Sequence, residues 1–177
     1  MSSSMITTPA AKLETLATQF FEHSAGQWTS QRRYYTLQSG ETQEVVSELK
    51  VEFLEAELAE LVALAALHDL DKALICGVRS SWESSYISPS RKQATGSTVF
   101  GIQGSILYRD RGFATPKPVF ATYQFRDRTT MQLHTEYSGS AFDEELKLVV
   151  ESYLTRQTII SRAGQEIMIG QYLETRM

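Results

Sequence analysis

Apolar and polar residues alternate along most of this chain, in short runs separated by turn-forming clusters. Alternate residues of a strand share a face. Residues 45–54 put Val45, Leu49, Val51 and Phe53 on one side. Residues 118–126 put Val119, Ala121, Tyr123 and Phe125 on one side and Phe120 on the other. The same reading predicts strands over 28–37, 73–81, 98–102, 105–109, 131–137, 142–150, 154–162 and 166–176. Two helices interrupt the pattern. A short one over 12–22 carries Leu13, Leu16 and Phe20 on one side, with Gly26 as a stop. The main one, over 55–68, carries Leu58, Leu61, Val62 and Ala65 as an apolar stripe for core packing, with Glu57 and Glu60 elsewhere. A mainly β protein follows. One helix between the second and third strands, then a long meander with short gaps, predicts an antiparallel up-and-down barrel.

Composition narrows this only a little. The 177 residues, 42% hydrophobic and 21% charged, fit a single globular domain over 12–177 behind a disordered tail over 1–11. That tail lacks the basic start and apolar stretch of a secretory signal. The longest apolar run, residues 61–67, is far short of the roughly 20 needed to span a bilayer. A net charge of −4 argues against general nucleic-acid binding, though not against a local basic pocket. The one cysteine, Cys76, lies between Ile75 and Gly77 and is expected to be a buried small hydrophobe in a reducing compartment.

Three strand faces break the apolar-in, polar-out rule. Glu144 shares a row with Phe142, Leu146, Leu148 and Val150. A buried carboxylate needs a donor, a proton or a ligand, unless it reaches water at a strand end. Arg156 shares a mostly apolar row with Leu154, Thr158 and Ile160, so it is expected to point inward, toward a ligand or an internal acid. Met168, Tyr172, Glu174 and Arg176 share a third row, near the C-terminus. Trp28, Ser30, Arg32 and Tyr34 form one face of the first strand, and Trp82 falls just beyond the third. Gln132, His134 and Glu136 form the polar side of their strand, so alternation alone turns Glu136 outward. The three histidines have no metal-ligand spacing, and no nucleophile elbow or phosphate-binding glycine loop is present. Gly101 and Gly104 read as turn residues. Residue patterning alone therefore stops at a barrel with an acid and an arginine inside.

Several motifs go further. Phe20-Phe21, Ser24, Gly26, Trp28, Ser30, Gln31 and Arg32 resemble the opening block of the S-type (S/U) phycobiliprotein chromophore lyases. The resemblance continues, in order, through Trp82-Glu83, Gly96-Ser97-Thr98-Val99 and Arg109-Asp110-Arg111-Gly112-Phe113-Ala114. It ends with Thr135-Glu136-Tyr137, Glu144, residues 154–158 and Glu174-Thr175-Arg176. It implies a lipocalin or fatty-acid-binding-like barrel of about ten strands that binds an open-chain tetrapyrrole, a bilin such as phycocyanobilin or phycoerythrobilin. It implies attachment of that bilin through a thioether to a cysteine of an apo-phycobiliprotein subunit, a β subunit in the first instance. Glu144 and Glu174 are then the catalytic candidates, and Arg32, Trp82, Glu136, Arg156 and Thr158 the bilin-binding ones. No metal and no tightly bound cofactor is implied, the bilin being substrate. The expected setting is the cyanobacterial cytosol or, for an alga, the plastid stroma.

The chain departs from the family pattern at Tyr35, Ser88, Glu145, Lys147 and Leu154, where relatives often carry His, Trp or Arg. Those losses imply a less cationic pocket. They suit a subunit that works beside an S-type partner or as a homodimer, or a bilin or fatty-acid carrier without transfer activity.

Overall fold

The computed structural model describes residues 9–88 and 93–177. Ten strands follow one another around a closed antiparallel barrel: β1 (Gly26–Thr36), β2 (Thr42–Glu55), β3 (Cys76–Ser88), β4 (Gln93–Gln103), β5 (Ile106–Arg109), β6 (Val119–Asp127), β7 (Thr130–Tyr137), β8 (Ser140–Val149), β9 (Tyr153–Arg162) and β10 (Gln165–Arg176). Each strand pairs with its neighbours in the chain, and β10 returns to pair with β1. Closure removes the unpaired edges that an open sheet would expose. The up-and-down barrel predicted from alternation is therefore the fold.

Two details differ. The strand β3 runs well past residue 81 and β4 begins before residue 98, because the small polar residues Ser80, Ser81, Ser84, Ser85, Ser97 and Thr98 blur the alternation there. The helices exchange rank. The first, α1 (Ala10–Ser24), has 15 residues, and the second, α2 (Ala59–Leu67), has only 9, since β2 continues to Glu55 and Leu58 is still extended. Ala10 and Ala11, expected in the tail, are helical, while residues 1–8 of that tail lie outside the described residues.

The helix α1 plugs one end of the barrel. Leu13, Ala17, Phe20 and Phe21 are buried in the interior cluster with Trp28, Leu107, Met131 and Leu154. Phe20 meets Phe125 edge-on at 5.9 Å and Phe21 meets Phe100 at 5.4 Å, a favourable geometry for aromatic pairs. The C-terminal arginine fixes the plug. Arg176 lies over the Trp28 ring at 4.2 Å and donates to the carbonyls of Ala25, His23 and Glu151. The bonds to His23 and Ala25 serve carbonyls left open at the helix C-terminus, and the bond to Glu151 ties in the turn between β8 and β9.

The helix α2 lies outside the barrel, against β4. Leu61 and Leu64 are its buried residues, packed with Leu54 and Leu74. They come so close to the sheet that a Cβ on Gly77 would stand 2.6 Å from Leu61 Cδ2, and one on Gly101 would stand 3.1 Å from it. Gly101 is therefore a mid-strand residue that seats a helix, not a turn. We expect Leu61→Ala to lower the urea-derived unfolding free energy by about 2–5 kcal/mol. The neighbouring Val62→Ser, on the exposed face, should change it by less than about 0.5 kcal/mol.

Candidate functional site

Above the aromatic floor set by Phe20 and Phe21, side chains leave a cavity of about 530 Å³ inside the barrel. Trp28, Leu49, Val51, Val78, Phe100, Leu107, Met131 and Leu133 make its apolar wall. Four arginines (Arg32, Arg109, Arg111 and Arg156) and two glutamates (Glu144 and Glu174) also line it, giving the lining a net charge of +2 in a chain whose total is −4. A second depression of about 750 Å³ includes outward residues such as Gln31, Arg33, Gln157 and Gln171, and neither of these two glutamates. The chemistry therefore belongs to the interior.

Barrel closure assembles this set from the two ends of the chain. In register, Arg32 of β1 stands beside Tyr172 of β10, and Tyr172 beside Arg156 of β9. The Tyr172 ring takes both guanidiniums, Arg32 at 5.2 Å and Arg156 at 5.7 Å. One register step away, Ser30 pairs with Glu174 and Glu174 with Leu154. Arg32 Nε donates to Ser30 Oγ at 3.1 Å, and Ser30 Oγ donates to Glu174 Oε1 at 3.4 Å. Arg156 Nη2 lies 3.8 Å from the same carboxylate oxygen. Burial alone would weaken the charged form of Arg156, but the fields of Glu174 and Glu144 overcome it and raise its pKa above the ordinary value. Burial pushes the Tyr172 hydroxyl up as well.

Glu144 points inward and its side chain is only 2% exposed. Its direct partner is Arg109 of β5, whose Nη2 donates to Oε1 at 3.0 Å. Arg109 in turn stacks on Phe113, 5.0 Å from the ring centroid, and Phe113 stacks on Phe142 at 4.9 Å. That layer carries the segment 110–118 across the mouth, where the Ala114 N–H donates to the Tyr137 hydroxyl at 2.8 Å. Trp82 also faces the cavity, from within β3 and not beyond it. The Arg111 guanidinium lies 5.1 Å from its ring centroid, and a Cβ on Gly96 would stand 2.6 Å from the ring, so only glycine admits the indole there.

Of the candidates read from sequence, Glu144, Glu174, Arg32, Trp82 and Arg156 converge on this cavity. Thr158 is buried and opposite Glu144 in register, but it is not part of the lining. Glu136 is a correction. It is exposed on the outer wall and accepts from His134 Nε2 at 2.8 Å, while His134 Nδ1 holds Asp143 at 2.6 Å. Those contacts, Asp143 first, keep His134 above its ordinary pKa. Arg109 and Arg111 are the site residues that alternation missed. The motif containing them was visible, but the first ends a four-residue strand and the second lies in a loop.

The site can recognise a dianion with an extended apolar body. The guanidiniums of Arg109 and Arg156 reach the lining from different strands, and no described protein group accepts from the buried Nε of either. Guanidinium is suited to bidentate carboxylate binding. Cys76 does not enter this site. It is buried, burial pushes its thiol up, and its Sγ lies 3.4 Å from Thr18 Oγ1.

Comparison with known proteins agrees with this geometry. Residues 17–177 match the family described as CpeS-like protein. The chain is 53% identical over 166 residues to a putative phycocyanobilin lyase, CpcS 2, of Nostoc sp. strain PCC 7120, covering 93% of this chain and 92% of that one. It is 48% identical over 176 residues to a putative chromophore lyase, CpcV, of Picosynechococcus sp., covering 98% and 85%. The solved S-type phycobiliprotein lyase of Guillardia theta shares the fold, with a TM-score of 0.78 at 22% identity over 91% of this chain and 92% of that one. A barrel of ten strands around a cationic cavity, matched over nearly its whole length, belongs to the CpeS-like family.

Proposed function

We propose that this chain takes an open-chain tetrapyrrole into its barrel and delivers it to a cysteine thiol of a phycobiliprotein subunit. The observation that carries the reading is the +2 lining of an apolar cavity in an otherwise acidic chain. A bilin has an extended ring system and two propionates. Its volume suits a cavity of this size, which is typical of small-molecule sites at about 300–1,000 Å³. The guanidiniums of Arg156 and Arg109, both in the lining, meet the propionates, and Arg32 adds to the field. Trp82 and Phe113 give flat faces against which the rings lie.

Thioether formation by thiol addition to an unsaturated carbon is redox-neutral. The S–C bond forms, and the thiol proton ends on the chromophore. A bilin whose pyrrole-type nitrogens are protonated is the better electrophile. Glu144, fixed by Arg109, hydrogen-bonds those nitrogens and favours that form; Glu174 holds Arg156 against the propionate. The protein contributes geometry and charge, and it excludes unselective addition. Because Cys76 is buried, the nucleophile comes from the acceptor. A free acceptor thiol suits a reducing compartment shared by the two proteins, the chain acting alone or beside a second family subunit.

Incubation with phycocyanobilin or phycoerythrobilin and an apo β subunit should give an acid-stable, zinc-fluorescent adduct. No adduct with either bilin, alone or with an S-type partner, contradicts the proposal. Arg156→Ala should raise the Kd for bilin about ten- to a hundredfold, the worth of one charge-assisted bond of about 1.5–3 kcal/mol, as read by absorbance titration. Glu144→Gln should slow transfer by about a hundredfold or more. Arg109→Ala should destabilise the fold by about 3–5 kcal/mol by stranding Glu144. The Arg109→Ala, Glu144→Gln double variant should recover part of that loss in urea unfolding.

A further inference from the structure

The helix α2 is apolar on both sides. Its inner face, Leu61 and Leu64, is spent on the barrel wall. A surface helix of this kind should present polar residues outward. Instead its exposed positions are Ala59, Val62, Ala63, Ala66 and Leu67, and Leu58 continues the surface just before it. Val62 is 61% exposed, Leu67 55% and Leu58 42%. No described residue covers them. The one charged residue of the helix, Glu60, is engaged by Arg79 at 3.0 Å, and Arg79 also holds Glu52 at 2.7 Å.

The rim of this surface is acidic. Glu55, Glu57, Asp69 and Asp71 stand there against Lys72, a net charge of −3, with Glu60 already paired to Arg79. That charge selects among occupants. A second copy would bring two such rims together, and an anionic membrane would meet the same repulsion. Like charges across an interface cost affinity, and complementary ones set partner and register. The three alanines let a partner helix approach closely, at an interaxial distance of roughly 8–10 Å. The occupant this surface fits is a protein helix with an apolar ridge flanked by Lys or Arg.

Its position says which protein. At the C-terminal end of α2, His68 Nε2 lies 2.8 Å from the Arg109 carbonyl oxygen, and its ring meets Tyr108 at 5.0 Å. Arg109 is where the mouth segment begins, and its side chain holds Glu144 on the inner side of the same strand. The C-terminal end of α2 therefore touches the base of the mouth segment, while its N-terminal end, which follows β2, lies toward the end plugged by α1. We infer that the outer face of α2 is the docking surface for the acceptor protein, which meets it with a basic-flanked apolar helix. This rests on the transfer function proposed above and adds to it where the acceptor binds.

The test is transfer kinetics against acceptor concentration, with the full-length chain, bilin and the apo subunit. Val62→Ser with Leu67→Ser should raise the KM for acceptor about tenfold or more, leaving kcat and the bilin Kd unchanged. Glu57→Lys with Asp71→Lys should raise that KM too, and added salt should raise it for the native chain. Unchanged bilin binding shows that the variants fold. A KM unmoved by the serine pair, or lowered by the lysine pair, overturns the inference and leaves the transfer function standing. A native dimer in sedimentation that the serine pair dissociates also overturns it, in favour of a second copy on this face. No transfer by the native chain overturns both.

Discussion

A sheet of ten strands that closes on itself creates an interior which alternation alone populates, and any carboxylate placed there needs its cationic partner there. The rest of this structure follows from that constraint. Two carboxylates, Glu144 and Glu174, face inward with almost no exposure. Four arginines face them and exceed them in number. Isolated, either carboxylate would be costly to bury. Paired, they fix guanidiniums that would otherwise be flexible, and the surplus charge stays in the cavity as a recognition element.

Alternation was a sound guide to which side chains point inward, and a poor one to which of them meet. Glu144 and Arg156 were legible as inward residues because their rows are otherwise apolar. The Arg109–Glu144 pair was not, since β5 and β8 are not neighbours and only barrel curvature brings them within 3.0 Å. The Arg32–Tyr172–Arg156 row was hidden for the same reason, being made when β10 returns to β1. Glu136 shows the opposite case. Alternation placed it outside, the family resemblance drew it in, and the structure sides with alternation. In α2 the period was visible, but the inward face was not. A helix rich in alanine, leucine and valine all round has no polar side to mark the outside, so its spacing assigns Leu58 and Val62 to the core although both are exposed.

The elements around the cavity divide the work by their position. The plug α1, clamped by Arg176, closes one end and supplies an aromatic floor. The segment 110–118 spans the other end, anchored through Phe113 between Arg109 and Phe142. Arg109 thus joins mouth, strand and buried acid in one residue. Nothing in this arrangement supplies a nucleophile, and the lone thiol is buried away from the cavity lining. A device that binds and orients a chromophore, leaving the thiol to its partner, is consistent with that division.

On the function proposed above, the cavity's surplus positive charge recognises the two propionates of the ligand. Absorbance titration of phycocyanobilin against its dimethyl ester, at low and high salt, tests this directly. The ester keeps the rings and loses both anionic groups. Binding should be at least about tenfold weaker for the ester, given about 1.5–3 kcal/mol per charge-assisted bond, with a salt dependence confined to the free acid. Equal affinity for the two, with no effect of salt on either, would contradict it.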